Sequence, residues 1–156
     1  MTKSQLTIFI ASLTITTIVL FDRILKIFFS HLLSLDESVQ VVRNFFYFTL
    51  VHNTGIAFGF FKNQSIIFVV ISTIAIILFS VYLYLHRKDE YFGLLEVFGF
   101  SLIIGGALGN LIDRILFGHV IDFIDFRVWP VFNLADSAIT VGTVIILIKC
   151  IPSSSK

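Results

Sequence analysis

The sequence predicts an all-α membrane protein, a bundle of four transmembrane helices with short strand-like segments beside it, and three observations carry that reading. The chain of 156 residues is 57% hydrophobic and 13% charged, whereas a soluble domain has about a quarter of its residues charged to cover its surface. Its mean hydropathy is +1.00. Runs nearly free of charge and long enough to cross a hydrocarbon core of about 30 Å, which takes about 20 helical residues, recur four times along it. The remaining composition excludes other classes. The 2 prolines and 19 Phe rule out a disordered or collagen-like chain, the single Cys150 rules out a disulfide scaffold, and a net charge of +1 gives no basis for nucleic acid as a partner. The chain reads as one integral membrane domain over residues 1–156.

The first predicted span covers residues 5–21, bounded by Lys3 and Asp22. A secretory signal can begin the same way, but no small-x-small cleavage motif closes the run. Asp22-Arg23-Ile24-Leu25-Lys26 instead continues a helical pattern, so the span is read as retained. From Val39 to Phe61, β-branched and aromatic residues are dense and lead into the turn signal Asn53-Thr54-Gly55, which predicts short strands lying against the membrane surface. The second span, 64–85, carries no charge, and a tight charged turn from His86 to Tyr91 follows it. In the third span, 92–112, the one charge is Glu96, tolerated in the first turns by the helix dipole and a snorkelling stem. Gly105 and Gly109 form a small-xxx-small pair suited to close helix packing. Asp113 to Asn133 is a second long connection, where Trp129 suits a membrane interface and Pro130 breaks any helix. The fourth span, 134–151, stops at Pro152 and holds Cys150 deep within it in an apolar role.

Four spans put both termini on one side. Lys3, Arg87, Lys88, Lys149 and Lys156 then occupy three short flanks there, while Arg23, Lys26, Arg43, Lys62, Arg114 and Arg127 are spread over the two long connections. The density of positive charge predicts cytoplasmic termini and places both long connections outside.

Ionisable residues beside membrane spans are costly unless paired or functional, and here they converge on one level. Asp22 and Lys26 end span one, Asn110, Asp113 and Arg114 end span three, Asp122 lies in the following loop and Asp136 begins span four. Asp22 and Lys26 are spaced i, i+4 with the acid first, as in a structural ion pair. Asn110, Asp113 and Arg114 share one helix face, where the Arg114 fork reads as an organiser or an anchor for a substrate carbonyl. Asp122 and Asp136 have no cation near them in the chain. The apolar flanks of Asp122 favour its neutral form, and the helix start at Asp136 favours ionisation, a contrast that suits acid and base roles. Spacing alone equally allows a solvated loop residue and a helix-terminus carboxylate. Asp125 and Arg127 read as interfacial charge. The four His are scattered without zinc-ligand spacing, although His119 lies near Asp122 in the chain. No phosphate loop or dinucleotide fingerprint occurs, so neither a metal nor a cofactor is expected.

The residues resemble the bacterial lipoprotein signal peptidases, also called signal peptidase II or prolipoprotein signal peptidase. The similarity lies in five ordered blocks: Asp22-x-x-x-Lys26, Asn53-Thr54-Gly55-Ile56-Ala57-Phe58-Gly59, Gly109-Asn110-Leu111-Ile112-Asp113-Arg114, Gly118-x-Val120-x-Asp122-Phe123 and Phe132-Asn133-Leu134-Ala135-Asp136. The resemblance implies a membrane aspartyl endopeptidase that removes signal peptides from diacylglyceryl-modified prolipoproteins, without metal or cofactor, in the cytoplasmic membrane and at its extracytoplasmic face. It implies a four-helix bundle with a small extracytoplasmic β-sheet cradle. By the same resemblance Asp122 and Asp136 are catalytic, Asn53, Gly55, Asn110, Arg114, Asn133 and Ala135 line or organise the site, and Asp22 and Lys26 support it. The helix-face spacing adds Asp113 to that support. Arg23 stands where many members have Gln. The rival reading, a small proton-coupled transporter or ion channel with an aspartate relay, needs ionisable groups spread through the membrane depth, and the mid-span stretches are almost bare of them.

Overall fold

The structure is a computed structural model, described here for residues 1–55 and 65–151. Four long helices and three strands follow in the order α1 (Lys3–Leu32), β1 (Ser38–Val42), β2 (Phe46–Asn53), α2 (Ser65–His86), α3 (Leu94–Phe117), β3 (Val120–Asp125) and α4 (Leu134–Cys150). Among the described residues three helices, α1, α2 and α3, are long and apolar enough to cross a membrane. The 17 residues of α4 extend about 26 Å at the helical rise.

The small residues of the sequence decide how these helices meet. α3 is central and packs against α1, α2 and α4. A Cβ on Gly105 would press on the Ile15 backbone of α1, and one on Gly109 would stand 2.7 Å from Asp22 Oδ2. On the α4 side Gly106 faces the Ala135 carbonyl oxygen so closely that any Cβ would collide with it, and Gly142 repeats the arrangement against the Gly99 carbonyl, 2.6 Å from where its own Cβ would be. Close backbone approach of this kind replaces the hydrophobic drive that lipid removes. Gly106→Ala is therefore expected to push the first turn of α4 away from α3 and to destabilise the protein by about 1–3 kcal/mol. Thermal unfolding in detergent measures this, and an unchanged midpoint would contradict the contact.

Polar ends close the helices. α1 starts in a capping box between Thr2 and Gln5, and α4 starts in one between Asn133 and Asp136. α3 ends at Gly118, whose left-handed φ of 75° turns the chain toward the sheet. At the other end of α3, Glu96 stands 3.6 Å from Lys149 of α4.

The helices outrun the uncharged segments of the sequence. α1 continues past Phe21 to Leu32 and α3 past Ile112 to Phe117, because amphipathic turns can extend a helix wherever one face stays packed. In α1 that face carries Asp22, Lys26 and Phe29, all buried. Cys150 is not deep within α4 as expected from sequence. It is the exposed last residue of that helix.

The three strands form one sheet in the order β1-β2-β3, antiparallel throughout. Apart from Ser38, which starts β1 one residue early, β1 and β2 fall within the segment expected to be strand-like, of which Ile56 to Phe61 lies outside the described residues. β3 was not expected. The sequence reading placed Asp122 in a loop, whereas it sits within a strand, because Val120, Ile121, Phe123 and Ile124 find a pairing partner in β2 that is about 70 residues distant in the chain. The sheet packs onto the end of α1 through Phe29, whose ring lies 4.4 Å from both Phe48 and Phe123. Leu33, Leu50 and Ile121 complete this core.

Candidate active site

A bulge in β2 sets the register that matters. Phe48 pairs with Ile124, but after one extra residue Val51 pairs with Asp122 and Asn53 with Val120. Without the bulge His52 would stand opposite Val120, since successive side chains alternate between faces. The extra residue puts Asn53 on the face of Asp122, and Asn53 Nδ2 donates to Asp122 Oδ2 at 2.9 Å. Asn53 Oδ1 in turn accepts from the Gly55 amide at 3.0 Å, so the Asn53-Thr54-Gly55 turn holds its own first residue in place.

The start of α4 brings the second carboxylate. In its capping box Asn133 Oδ1 accepts from the Asp136 amide at 2.9 Å and the Asn133 amide donates to Asp136 Oδ2 at 3.3 Å. The Asn133 Nδ2 group faces the other way and donates to Asp122 Oδ1 at 2.7 Å. Asn133 is fully buried and thus joins the two aspartates. Asn110 makes a second link, donating from Nδ2 to Asp136 Oδ1 at 2.7 Å while its Oδ1 accepts from Asn133 at 3.0 Å and from Lys26 Nζ at 3.1 Å.

Behind this pair lies a buried ion cluster. Lys26, wholly inaccessible, contacts Asp22 Oδ2 at 2.7 Å and Asp113 Oδ2 at 2.8 Å. Each carboxylate has a further task. Asp22 Oδ1 accepts from the Ala135 amide at 3.0 Å, fixing the first turn of α4 to α1, and Asp113 Oδ2 accepts from the Ile121 amide at 3.2 Å, fixing β3 to α3. Arg23 completes the cluster at 2.8 Å from Asp113 Oδ1. The Asp22–Lys26 pair expected from i, i+4 spacing is present, and the fold adds Asp113 to it.

Sequence spacing gave Asp122 and Asp136 no cation. The fold brings Arg114, whose guanidinium is also 5.2 Å from the Phe68 ring, and Lys26 within electrostatic reach of the two aspartates. Burial pushes the Asp122 carboxyl up to about 8, and the neighbouring charge of Asp136 adds to this against the hydrogen bonds from Asn53 and Asn133. A buried carboxyl that holds its proton near neutrality beside a second carboxyl can both give and take a proton.

Two cavities meet at Asp136. One of about 240 Å³ is bounded by Asn53, Gly55, Arg114 and Asp136, and a larger one of about 470 Å³ extends over Phe126, Ser137, Thr140 and Val141; Trp129 and Phe132 border both. The sequence reading assigned Trp129 only to the membrane interface and did not single out Phe132 as a wall. Its aromatic character is the one signal that pointed there. Among the described residues no group of three or more His, Cys, Asp or Glu could hold a metal ion.

Two other sequence readings change. Asp125 is not interfacial charge: it is 4% exposed and accepts from Thr49 Oγ1 at 2.7 Å and from the Arg127 amide at 2.8 Å, stitching β2 to the turn after β3. His119, near Asp122 in the chain, instead stacks its ring on His52 at 3.9 Å, and burial lowers its proton affinity below the usual imidazole value, with the His52 charge adding to the effect.

The family model described as signal peptidase (SPase) II matches residues 14–152. The chain belongs to the signal peptidase II family. It is 38% identical over 136 residues to a lipoprotein signal peptidase of Halothermothrix orenii, covering 87% of this chain and 91% of that protein. With a lipoprotein signal peptidase of Moorella thermoacetica it shares 47% identity over 112 residues, 71% of this chain and 72% of the relative. A solved bacterial membrane enzyme, determined by the in meso method at 2.3 Å resolution, superposes with a TM-score of 0.81 at 32% identity, covering 94% of this chain and 93% of its own. Membership of the signal peptidase II family makes the chain a membrane-embedded peptidase.

Proposed function

We propose that this protein is an aspartyl endopeptidase of lipoprotein maturation, which cuts diacylglyceryl-modified prolipoproteins just before the modified cysteine, with Asp122 and Asp136 as its catalytic pair. The observation that carries this reading is the pair itself: a buried Asp122 carboxyl and a half-buried Asp136 carboxyl tied together through Asn133 and Asn110 where two cavities meet. The pair shares one proton, because adjacent carboxyls in a buried site do not both ionise readily. The ionised member takes a proton from a water that attacks the scissile carbonyl. The protonated member donates to the developing oxyanion and then supplies the proton of the leaving amine.

The surrounding residues position rather than react. Asn53 and Asn133 orient the Asp122 oxygens, Asn110 orients Asp136, and Arg114 with the Asn53–Gly55 turn borders the cavity in which the substrate backbone binds. Ala135 has its amide on Asp22 and no exposed surface, so it lets α3 and α4 close behind the site. The larger cavity, bordered by Phe126, Phe132 and Val141, suits an apolar stretch of signal peptide or lipid. In this reading all four helices span the bacterial cytoplasmic membrane as one domain over residues 1–156, both termini are cytoplasmic, and the sheet and the aspartates lie at the extracytoplasmic face beside the lipid headgroups.

The test is a gel-shift assay with purified protein in detergent. A diacylglyceryl-modified prolipoprotein is expected to be cleaved, and its unmodified form to be cleaved at least about 100-fold more slowly, because remote binding energy from the acyl chains orients the scissile bond. Equal rates on both would mark a general membrane protease instead.

A further inference from the structure

The buried cluster has an electrostatic imbalance that one residue removes. Asp22, Asp113 and Lys26 together carry two carboxylates and one ammonium, all within 3 Å contacts and all inaccessible to solvent. Their sum is one negative charge, in the same layer as Asp122 and Asp136. Arg23 stands next to them on α1 with its Nη1 2.8 Å from Asp113 Oδ1 and its guanidinium 4.9 Å from the Phe117 ring. Its side chain is 29% exposed, while Asp113 is wholly buried. The contacts divide Asp113 cleanly. Oδ1 takes Arg23, and Oδ2 takes Lys26 and the Ile121 amide.

We infer that Arg23 is a positioning residue for the aspartate pair: its charge balances Asp113, which leaves Lys26 its contact with Asn110 and keeps excess negative charge away from Asp122 and Asp136. The path is short. Arg23 holds Asp113, Asp113 shares Lys26, Lys26 donates to Asn110 Oδ1, and Asn110 donates to Asp136 Oδ1. If Arg23 is lost, Lys26 faces two carboxylates alone, and the uncompensated charge acts on the pair through a low-dielectric interior. Among the described residues, the charged and titratable groups around the pair are Asp22, Arg23 and Lys26 from α1, Asp113 and Arg114 from α3, and His52 and His119 beside the β2–β3 end of the sheet. Of these cations, Arg23 alone pairs with Asp113 from the exposed side.

The inference rests on the two-aspartate reading, and the experiment separates the two. The pH dependence of kcat/KM is measured on a lipidated prolipoprotein for the wild type, Arg23→Gln, Arg23→Lys and the double variant Arg23→Gln/Asp113→Asn, each normalised to folded protein. In Arg23→Gln the extra negative charge raises proton affinity at the pair, so both limbs of the profile move to higher pH by about 0.5–1 unit. Arg23→Lys restores the charge and the wild-type profile. The double variant removes one charge of each sign and also returns the profile toward wild type, which keeps the test decisive if Arg23→Gln folds poorly. A merely structural role would lower the unfolding temperature and leave the normalised profiles superposed, which would overturn the inference, as would a lysine variant that behaves like glutamine. Cleavage by Asp122→Asn or Asp136→Asn in the same assay would instead overturn the catalytic reading on which it rests.

Discussion

Asp122→Asn and Asp136→Asn are each expected to abolish cleavage of a lipidated prolipoprotein while leaving a folded, membrane-inserted protein. Asn preserves the shape of Asp and keeps one of the two acceptor oxygens that each aspartate offers to its N–H donors, but it cannot exchange a proton, and both steps of the proposed reaction need that exchange. Loss should be at least about 1,000-fold for each, and the double variant hardly worse, because residues acting as a unit are strongly non-additive. Stability should move the other way at Asp122. Its carboxyl is pushed up to about 8 in the folded protein from an ordinary 3.8, so between those values the folded state binds more protons than the unfolded chain. Stability therefore falls as pH rises from about 4 to about 8. Asn has no proton to lose, so Asp122→Asn should unfold at a higher temperature than the wild type at pH 8 and not at pH 4. Asp125→Asn is the control: it removes a carboxylate outside the pair, keeps one of the two acceptors that Thr49 and the Arg127 amide use, and should keep substantial activity once normalised to folded protein. Cleavage by either single aspartate variant, normalised to folded protein, would end the two-aspartate mechanism while leaving family membership intact.

The second large effect is expected at Lys26. Lys26→Met keeps an unbranched side chain, one atom shorter, and removes its charge, leaving Asp22 and Asp113 facing each other where solvent does not reach. Breaking a buried ion pair by deleting one partner costs about 3–5 kcal/mol, since the remaining charge keeps its desolvation penalty. The consequence reaches the fold through two amides. Asp22 holds Ala135 at the start of α4, and Asp113 holds Ile121 of β3, so the variant should lose folded yield and protease resistance in detergent together with activity. Adding Asp22→Asn to Lys26→Met should recover part of the yield, because these residues share one contact and their effects are not additive. A Lys26→Met protein with wild-type unfolding temperature would show that the cluster contributes nothing to holding α1, α3 and α4 together.

The sequence by itself determined the membrane character and the approximate position of each helix, because apolar runs and their charged ends depend only on what a bilayer accepts. It also revealed the Asp22–Lys26 pair, since that rests on helical neighbours four positions apart. The resemblance to a family then named the residues that gather around Asp122 and Asp136. What the chain order could not contain was decided by contacts between distant segments. β3 is a strand only because β2 supplies its hydrogen bonds, and Asn53 rather than His52 faces Asp122 only because β2 bulges. Asp125, read as interfacial charge, is buried where β2 pairs with β3 and brings the Thr49 hydroxyl onto its carboxylate. The same holds for charge. Arg23 and Asp113 are 90 positions apart, and no local period links them, so the balance of charges around the aspartates existed nowhere until α1 and α3 were packed together.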